Sequence, residues 1–296
     1  IQNADAMVME VSSHGLNQDR VNVNEFNAAV FTNLSRDHLD YHGGMNAYGE
    51  EKRKLFLNPH LKIAVVNMDE IFSAKILNSL AKNVKSFTYS LHNPKADVFP
   101  RALEFNRSGF SLDVVTPWGE SSFSSSLAGS FNVSNLLAVL TTVMATEAGK
   151  PGFDFNNILE KVALVSPVRG RMEILTDHPV SVVVDYAHTP DALKNALAAL
   201  RQHYKGNIWC VFGCGGDRDK GKRPLMAEIA EKHANKLIIT DDNPRTESSD
   251  AIITQILSGL SSNAEAVVES DRARAIDYAI THADEQDVVL IAGKGH

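Results

Sequence analysis

A chain of 296 residues, 44% hydrophobic and 22% charged, carries enough apolar material for about two domains and lacks the bias of disordered, collagenous or coiled-coil sequences. Its formal net charge of -7 at pH 7 argues against nucleic acid as the main partner, while local basic pockets for anionic ligands stay compatible with it. Cys210 and Cys214 are too few for a disulfide framework or a structural zinc site and suit a reduced, cytoplasmic setting. No signal peptide is visible and no run of about eighteen apolar residues occurs, so no membrane span is expected.

In the first half, Ala6–Val11, Ala28–Asn33 and Lys62–Asn67 read as strands, and Gly44–Leu57 and Glu70–Lys82 as helices. Strands alternating with helices predict a parallel α/β sheet. From Ala96 to Leu127 polar and apolar residues alternate, with turn signals at Asn106-Arg107-Ser108-Gly109 and Pro117-Trp118-Gly119, which predicts an antiparallel patch. Helices follow at Asn132–Ala148 and near Phe155–Ala163, and Ser166-Pro167-Val168-Arg169-Gly170 reads as a linker. Beyond it, strands at Ser181–Asp185, Ile208–Phe212, Lys236–Thr240, Ala266–Val268 and Val288–Ile291 alternate with four helices. That is the pattern of a doubly wound sheet, whose ligands sit at the carboxyl ends of the strands. Two domains are expected, 1–166 and 167–296. The chain opens on Ile1-Gln2-Asn3 and closes on Gly293-Lys294-Gly295-His296, and it reads as a fragment of a longer protein.

Several strand ends carry chemistry. Glu10-Val11-Ser12-Ser13-His14-Gly15 places a carboxylate and hydroxyls where a metal or phosphate would suit them. Asp37, His38, Asp40 and His42 put four titratable groups within six residues, and a metal-dependent hydrolase built on them is one reading. Lys52 lies in the run Glu50-Glu51-Lys52-Arg53-Lys54, by pattern a charged helix face; Asn132 would serve as a helix cap, or Asn132 and Asn135, on one helix face, would read a base or ribose. Asp185-Tyr186-Ala187-His188-Thr189-Pro190, the glycine-rich Gly213 to Arg223, Asp241-Asp242-Asn243-Pro244-Arg245 and the terminal glycine loop all follow strands of one sheet. Glycines let backbone approach a ligand closely, and basic residues suit carboxylate or phosphate.

Taken together, Glu10 to Gly15, Asn33 to Asp40, Gly129-Ser130-Phe131-Asn132 to Asn135, Gly170-Arg171-Met172-Glu173, Asp185 to Pro190, Gly213 to Pro224 and Asp242 to Arg245 resemble the Mur ligases, in that family's order and over essentially the whole chain. Within the family the chain is similar to the members that add diaminopimelate. The resemblance implies a central P-loop-type ATPase domain, truncated, then a Rossmann-like C-terminal domain. It also implies that the sugar-nucleotide-binding first domain, the P-loop and the extreme C-terminus are missing, so that the fragment alone is inactive. The implied reaction uses ATP and Mg²⁺ to join meso-2,6-diaminopimelate to UDP-N-acetylmuramoyl-L-alanyl-D-glutamate through an acyl phosphate, in a cytoplasmic monomer serving bacterial cell-wall synthesis. Implied roles are metal binding and catalysis for Glu10, His38 and Lys52, the last as an N6-carboxylysine carbamate. Asn132, Asn135, Arg171 and Asp185 would bind ATP, and Ser12, Gln18 and Arg20 the UDP-muramoyl dipeptide. Arg218, Asp242, Asn243, Pro244, Arg245 and Gly293 would bind diaminopimelate. The ligase reading expects His42 to face solvent, whereas the hydrolase reading aims His38 and His42 at one ion. Folylpolyglutamate synthetase is a further relative whose motifs match less well.

Overall fold

The computed structural model describes residues 4–34 and 39–294, with backbone only for Asn24, Leu39 and Asp40. The chain divides into two compact units. One comprises Ile1–Ala102, Leu112–Phe123 and Val133–Val162, the other Leu103–Ser111, Ser124–Asn132 and Ala163–His296.

The first unit begins with α1 (Ser13–Asn17), β1 (Ala28–Phe31), α2 (Leu39–His42), α3 (Met45–Arg53), β2 (Ile63–Asn67), α4 (Ser73–Ser79) and β3 (Lys85–Tyr89). The three strands form a parallel sheet in the order β1-β2-β3, with Val30 opposite Val65 and Val65 opposite Phe87. Phe31, Phe56, Leu61, Ala64, Val66 and Ile76 make its core. The meander β4 (Phe99–Asn106), β5 (Gly109–Thr116) and β6 (Gly119–Ser125) follows. Its strands are joined by two-residue links, too short for anything but antiparallel pairing. Next comes α5 (Ser130–Glu147), which buries Leu136, Leu137, Leu140 and Met144 along one side, and then α6 (Phe155–Ala163).

Ala6–Val11 is not a strand in this structure. A strand exists only where a neighbour supplies the ladder, and among the described residues none pairs with this segment, whose Val8 is 96% exposed. The sequence pattern also hides α1 and β3. In α1, Ser12 caps a single short turn and its Oγ accepts from Gly15 N at 3.0 Å. The strand β3 opens on exposed Lys85 and Ser86, which hide its alternation.

The second unit contains β7 (Glu173–Thr176), β8 (Ser181–Asp185), α7 (Pro190–His203), β9 (Ile208–Phe212), α8 (Lys222–His233), β10 (Lys236–Ile239), α9 (Ser249–Leu257), β11 (Ala266–Val268), α10 (Arg272–His282) and β12 (Val288–Ala292). They form one sheet of order β11-β10-β9-β12-β8-β7, parallel except for the antiparallel edge strand β7. Side chains alternate between its faces. Val183, Cys210, Phe212, Leu290 and Ile239 pack with Leu193, Leu197, Met226 and Ile253 of α7, α8 and α9. Val182, Trp209, Val211, Ile238 and Val289 pack on Ala275 and Ala279 of α10. Burial on both faces explains the unbroken apolar runs of these strands. Truncating one such residue, Leu197→Ala for example, costs about 2–5 kcal/mol. The chain runs across the sheet from β7 to the edge strand β11, leaving a gap between β8 and β9, and then turns back to place β12 in that gap. Ligands of open α/β sheets bind outside the carboxyl ends of the strands, where the direction of winding changes. Among the described residues no helix is long and apolar enough to cross a membrane.

Candidate functional site

Register aligns the carboxyl ends of four adjacent strands. Asp185 of β8 stands opposite Ala292 of β12, Ile291 opposite Val211 of β9, and Phe212 opposite Ile239 of β10. At these ends lie Asp185 itself, the glycine loop 213–219, the loop 241–247 and Gly293.

The glycine loop and the 241–247 loop are stitched together. Gly216 N donates to Asn243 O at 2.8 Å, and Arg245 NH1 donates to Gly216 O at 2.7 Å. Asp217 N donates to Glu247 Oε1 at 2.7 Å, while Thr246 Oγ1 donates to Asp217 Oδ1 at 2.7 Å. A Cβ on Gly216 would lie 1.9 Å from Pro244 O, so only glycine permits this approach. Asp217 and Arg245 both adopt left-handed backbone, with φ of 52° and 51°, a conformation that costs a side-chain-bearing residue roughly 1–2 kcal/mol. The Asp217 carboxylate accepts from Thr246 N and Oγ1 on the other loop, and these hydrogen bonds hold its carboxyl below the usual range. Arg245 and Arg218 are exposed on these loops, as is Asn243, and Asp242 pairs with Lys294 at 3.0 Å.

Beneath the loops lies Arg223, whose side chain is fully buried. Its guanidinium donates to both oxygens of Glu247, at 3.0 and 2.8 Å, to Gln255 Oε1 at 2.7 Å and to Gly215 O at 3.2 Å. The Arg223 fork, the Asp217 amide and Lys220 hold the Glu247 carboxyl down at about 2.

At the next strand end Asp185 is braced. Its Oδ2 accepts from Met172 N at 2.9 Å and its Oδ1 from Ala187 N at 2.8 Å. Burial raises its pKa, and these two amides and Arg171 oppose the rise. Arg171 stands 4.7 Å over the Tyr186 ring, and Gly293, at φ 84°, donates its N–H to Asp185 O at 2.9 Å. Asp185 and Gly293 therefore share a hydrogen bond at neighbouring strand ends.

Asn132 lies in the first turn of α5 and donates from Nδ2 to Ala128 O at 2.8 Å, so it is not the helix cap; Asn135 is exposed. Just upstream, Gly129 N donates to His203 Nε2 at 2.8 Å, and His203 Nδ1 lies 2.6 Å from Asn106 O. These partners assign His203 as the neutral Nδ1–H tautomer, and burial lowers its pKa. The sequence reading does not find this histidine.

In the first unit Glu10 is exposed, ahead of α1, and Ser12 is spent as the α1 cap. Gln18 Nε2 donates to Tyr41 Oη at 3.1 Å, and Arg20 is exposed. The Lys52 ammonium stands 5.2 Å from the Tyr48 ring centre. Tyr48 stacks on His42 with centroids 5.2 Å apart, and His42 Nε2 lies 2.9 Å from the buried Ser13 Oγ. Lys52 is half-buried, whereas Lys54 is exposed and paired with Glu51 at 2.6 Å. His42 is therefore not turned to solvent, because its ring is held between Tyr48 and Ser13. Asp37, His38 and the side chain of Asp40 lie outside the described residues. Among the described residues no three His, Cys, Asp or Glu side chains gather as a metal site.

Comparison with known proteins places these features in context. A model described as Mur ligase middle domain matches residues 1–143, and one described as Mur ligase, glutamate ligase domain matches 170–295. The UDP-N-acetylmuramoyl-L-alanyl-D-glutamate--2,6-diaminopimelate ligase of Coxiella burnetii is 47% identical over 300 residues, covering 100% of this chain and 60% of the relative. That of Chromobacterium violaceum is 49% identical over 299 residues, covering 100% and 59%. A solved structure of a ligase with this name is 41% identical, with a TM-score of 0.72 over 97% of this chain and 58% of that one. The chain thus spans about 60% of the length of the curated relatives it matches.

Proposed function

The chain belongs to the Mur ligase family, and from that premise we propose that the protein carrying it is an ATP-dependent amide ligase that adds meso-2,6-diaminopimelate to UDP-N-acetylmuramoyl-L-alanyl-D-glutamate during peptidoglycan synthesis. Its domains divide near residues 166 and 167, and it works as a cytoplasmic monomer.

The D-glutamate side-chain carboxylate attacks the γ-phosphorus of ATP, and ADP leaves. The diaminopimelate amine then adds to the acyl phosphate carbon, loses a proton, and expels phosphate together with one former carboxylate oxygen. The protein's work is positioning and charge neutralisation. Ser12, Gln18 and Arg20 hold the UDP-muramoyl dipeptide. Asn132 and Asn135 meet the adenine, and Arg171 and Asp185 the phosphates and ribose. Both Asp185 oxygens already accept a backbone N–H, so their remaining lone pairs are the ones open to a ligand. Arg245, Arg218, Asp242, Asn243, Pro244 and Gly293 hold diaminopimelate, with Arg245 on the carboxylate that lysine lacks.

Mg²⁺ is the metal this chemistry calls for. Glu10, His38 and a carbamylated Lys52 would hold it, and when bound it would neutralise phosphate charge. The exposed Glu10 carboxylate suits a hard cation, but an unmodified Lys52 ammonium is no ligand, so no step above depends on the metal.

The observation that carries this reading is the stitched pair of loops at the β9 and β10 ends, which fixes one edge of Arg245 on Gly216 O. The guanidinium N–H groups not engaged there are the donors that meet a carboxylate. A charge-assisted hydrogen bond contributes about 1.5–3 kcal/mol, so Arg245→Ala in the intact protein raises the KM for diaminopimelate about 10- to 150-fold. The KM for ATP stays within about twofold. Unchanged use of diaminopimelate by this variant contradicts the assignment.

A further inference from the structure

We propose that Arg223 is a positioning residue for amino-acid selection, acting through Glu247 to fix the backbone and guanidinium of Arg245. The proposal rests on the reading of Arg245 as the diaminopimelate contact.

Arg223 touches nothing outside the fold, since its side chain is fully buried. Its bonds nevertheless meet at the two loops that leave β9 and β10. One guanidinium nitrogen reaches Gly215 O on the glycine loop. Two bonds grip Glu247, two residues beyond Arg245, and a fourth reaches Gln255 on α9. Glu247 in turn receives the Asp217 amide, and Asp217 receives both the amide and the hydroxyl of Thr246. This circuit closes around the two residues with left-handed backbone, Asp217 and Arg245. Such a conformation persists only where the surroundings over-determine it, and here the clasp supplies the constraint. A buried ion pair is weak evidence for stability on its own, and fixing one conformation is the role assigned to this one. Arg223 offers a planar fork that grips both Glu247 oxygens while reaching two further acceptors. A lysine ammonium cannot reproduce that geometry.

The expected consequence separates positioning from mere stability. In the intact protein, Glu247→Gln and Arg223→Lys should raise the KM for diaminopimelate at least about tenfold. They should also narrow the preference for diaminopimelate over lysine, while the KM values for ATP and the UDP-dipeptide stay within about twofold. Thr246 is exposed, so Thr246→Val tests the same circuit without threatening the core, and a severalfold rise in the diaminopimelate KM is expected. This variant decides the matter if the buried substitutions do not fold. An unchanged diaminopimelate KM in folded variants overturns the proposal, as does an equal change in all three KM values. Arg245→Ala, measured alongside, separates the two levels. If it is impaired while the clasp variants are not, the positioning role alone fails. If it too uses diaminopimelate normally, the underlying site assignment fails.

Discussion

His203 should act as a neutral clasp on the loop that opens α5, and His203→Leu should break it. The magnitude follows from what each lost bond leaves behind. Gly129 is buried, so its N–H loses the Nε2 acceptor with no water to replace it, which costs about 1–3 kcal/mol. Asn106 is exposed, and its carbonyl can turn to water, so only a net hydrogen bond of about 0.5–1.5 kcal/mol is lost there. The edge-on packing against Phe105, 5.0 Å between centroids, is largely retained by leucine. The total is about 1.5–4.5 kcal/mol. Native-state hydrogen exchange of the Gly129 amide reads the bond directly, and thermal unfolding of the intact protein reads its effect. Asn132 lies three residues further on, so the ATP KM should rise as well. The pH dependence has a defined sign. Burial holds the folded pKa below 6.5, so between that lowered value and 6.5 the unfolded chain binds more protons, and stability rises with pH. The contribution is complete above pH 6.5 and fades as pH falls below it. His203→Gln, with one acceptor and one donor, should keep much of the clasp and lose this part of the acid sensitivity. Unaltered Gly129 exchange in His203→Leu refutes the reasoning.

Two further outcomes are expected. Lys52→Ala in the intact protein should be nearly inactive and partly rescued by short carboxylic acids that supply the oxygens of a carbamate. Lys54→Ala loses only an exposed i,i+3 pair with Glu51, worth about 0–1 kcal/mol, and should turn over like wild type; equal effects on turnover would contradict the carbamate role. Gly216→Ala puts a Cβ against Pro244 O and forces the 241–247 loop away from the glycine loop, so diaminopimelate incorporation should fall at least about tenfold while calorimetric ATP affinity holds.

The sequence makes the second unit's sheet readable because its strands are buried on both faces and bounded by polar, glycine-rich ends. The first unit is harder. Val8 and its neighbours have the apolar pattern of a strand but no partner among the described residues, and pairing is not a local property. The edge strand β7 escapes because Leu175 and Thr176 face solvent. Motif order picks out the loops around Arg218 and Arg245. The groups that hold those loops, and the loop that opens α5, stay hidden: Arg223 and Glu247 are 24 residues apart, His203 and Asn106 97 apart, and no periodicity links them. Arg223 by pattern is one more charge at the start of a helix, and only the folded chain gives it a partner.

The central claim is ligation through an acyl phosphate with diaminopimelate as acceptor, and oxygen transfer tests it most directly. The intact protein is supplied with ATP, diaminopimelate and UDP-dipeptide labelled with oxygen-18 in the D-glutamate side-chain carboxylate. Mass spectrometry of the products should find one labelled oxygen in each phosphate released and the other in the new amide, with one ADP formed per tripeptide. Phosphate free of label, or equal incorporation of lysine in place of diaminopimelate, would contradict the account.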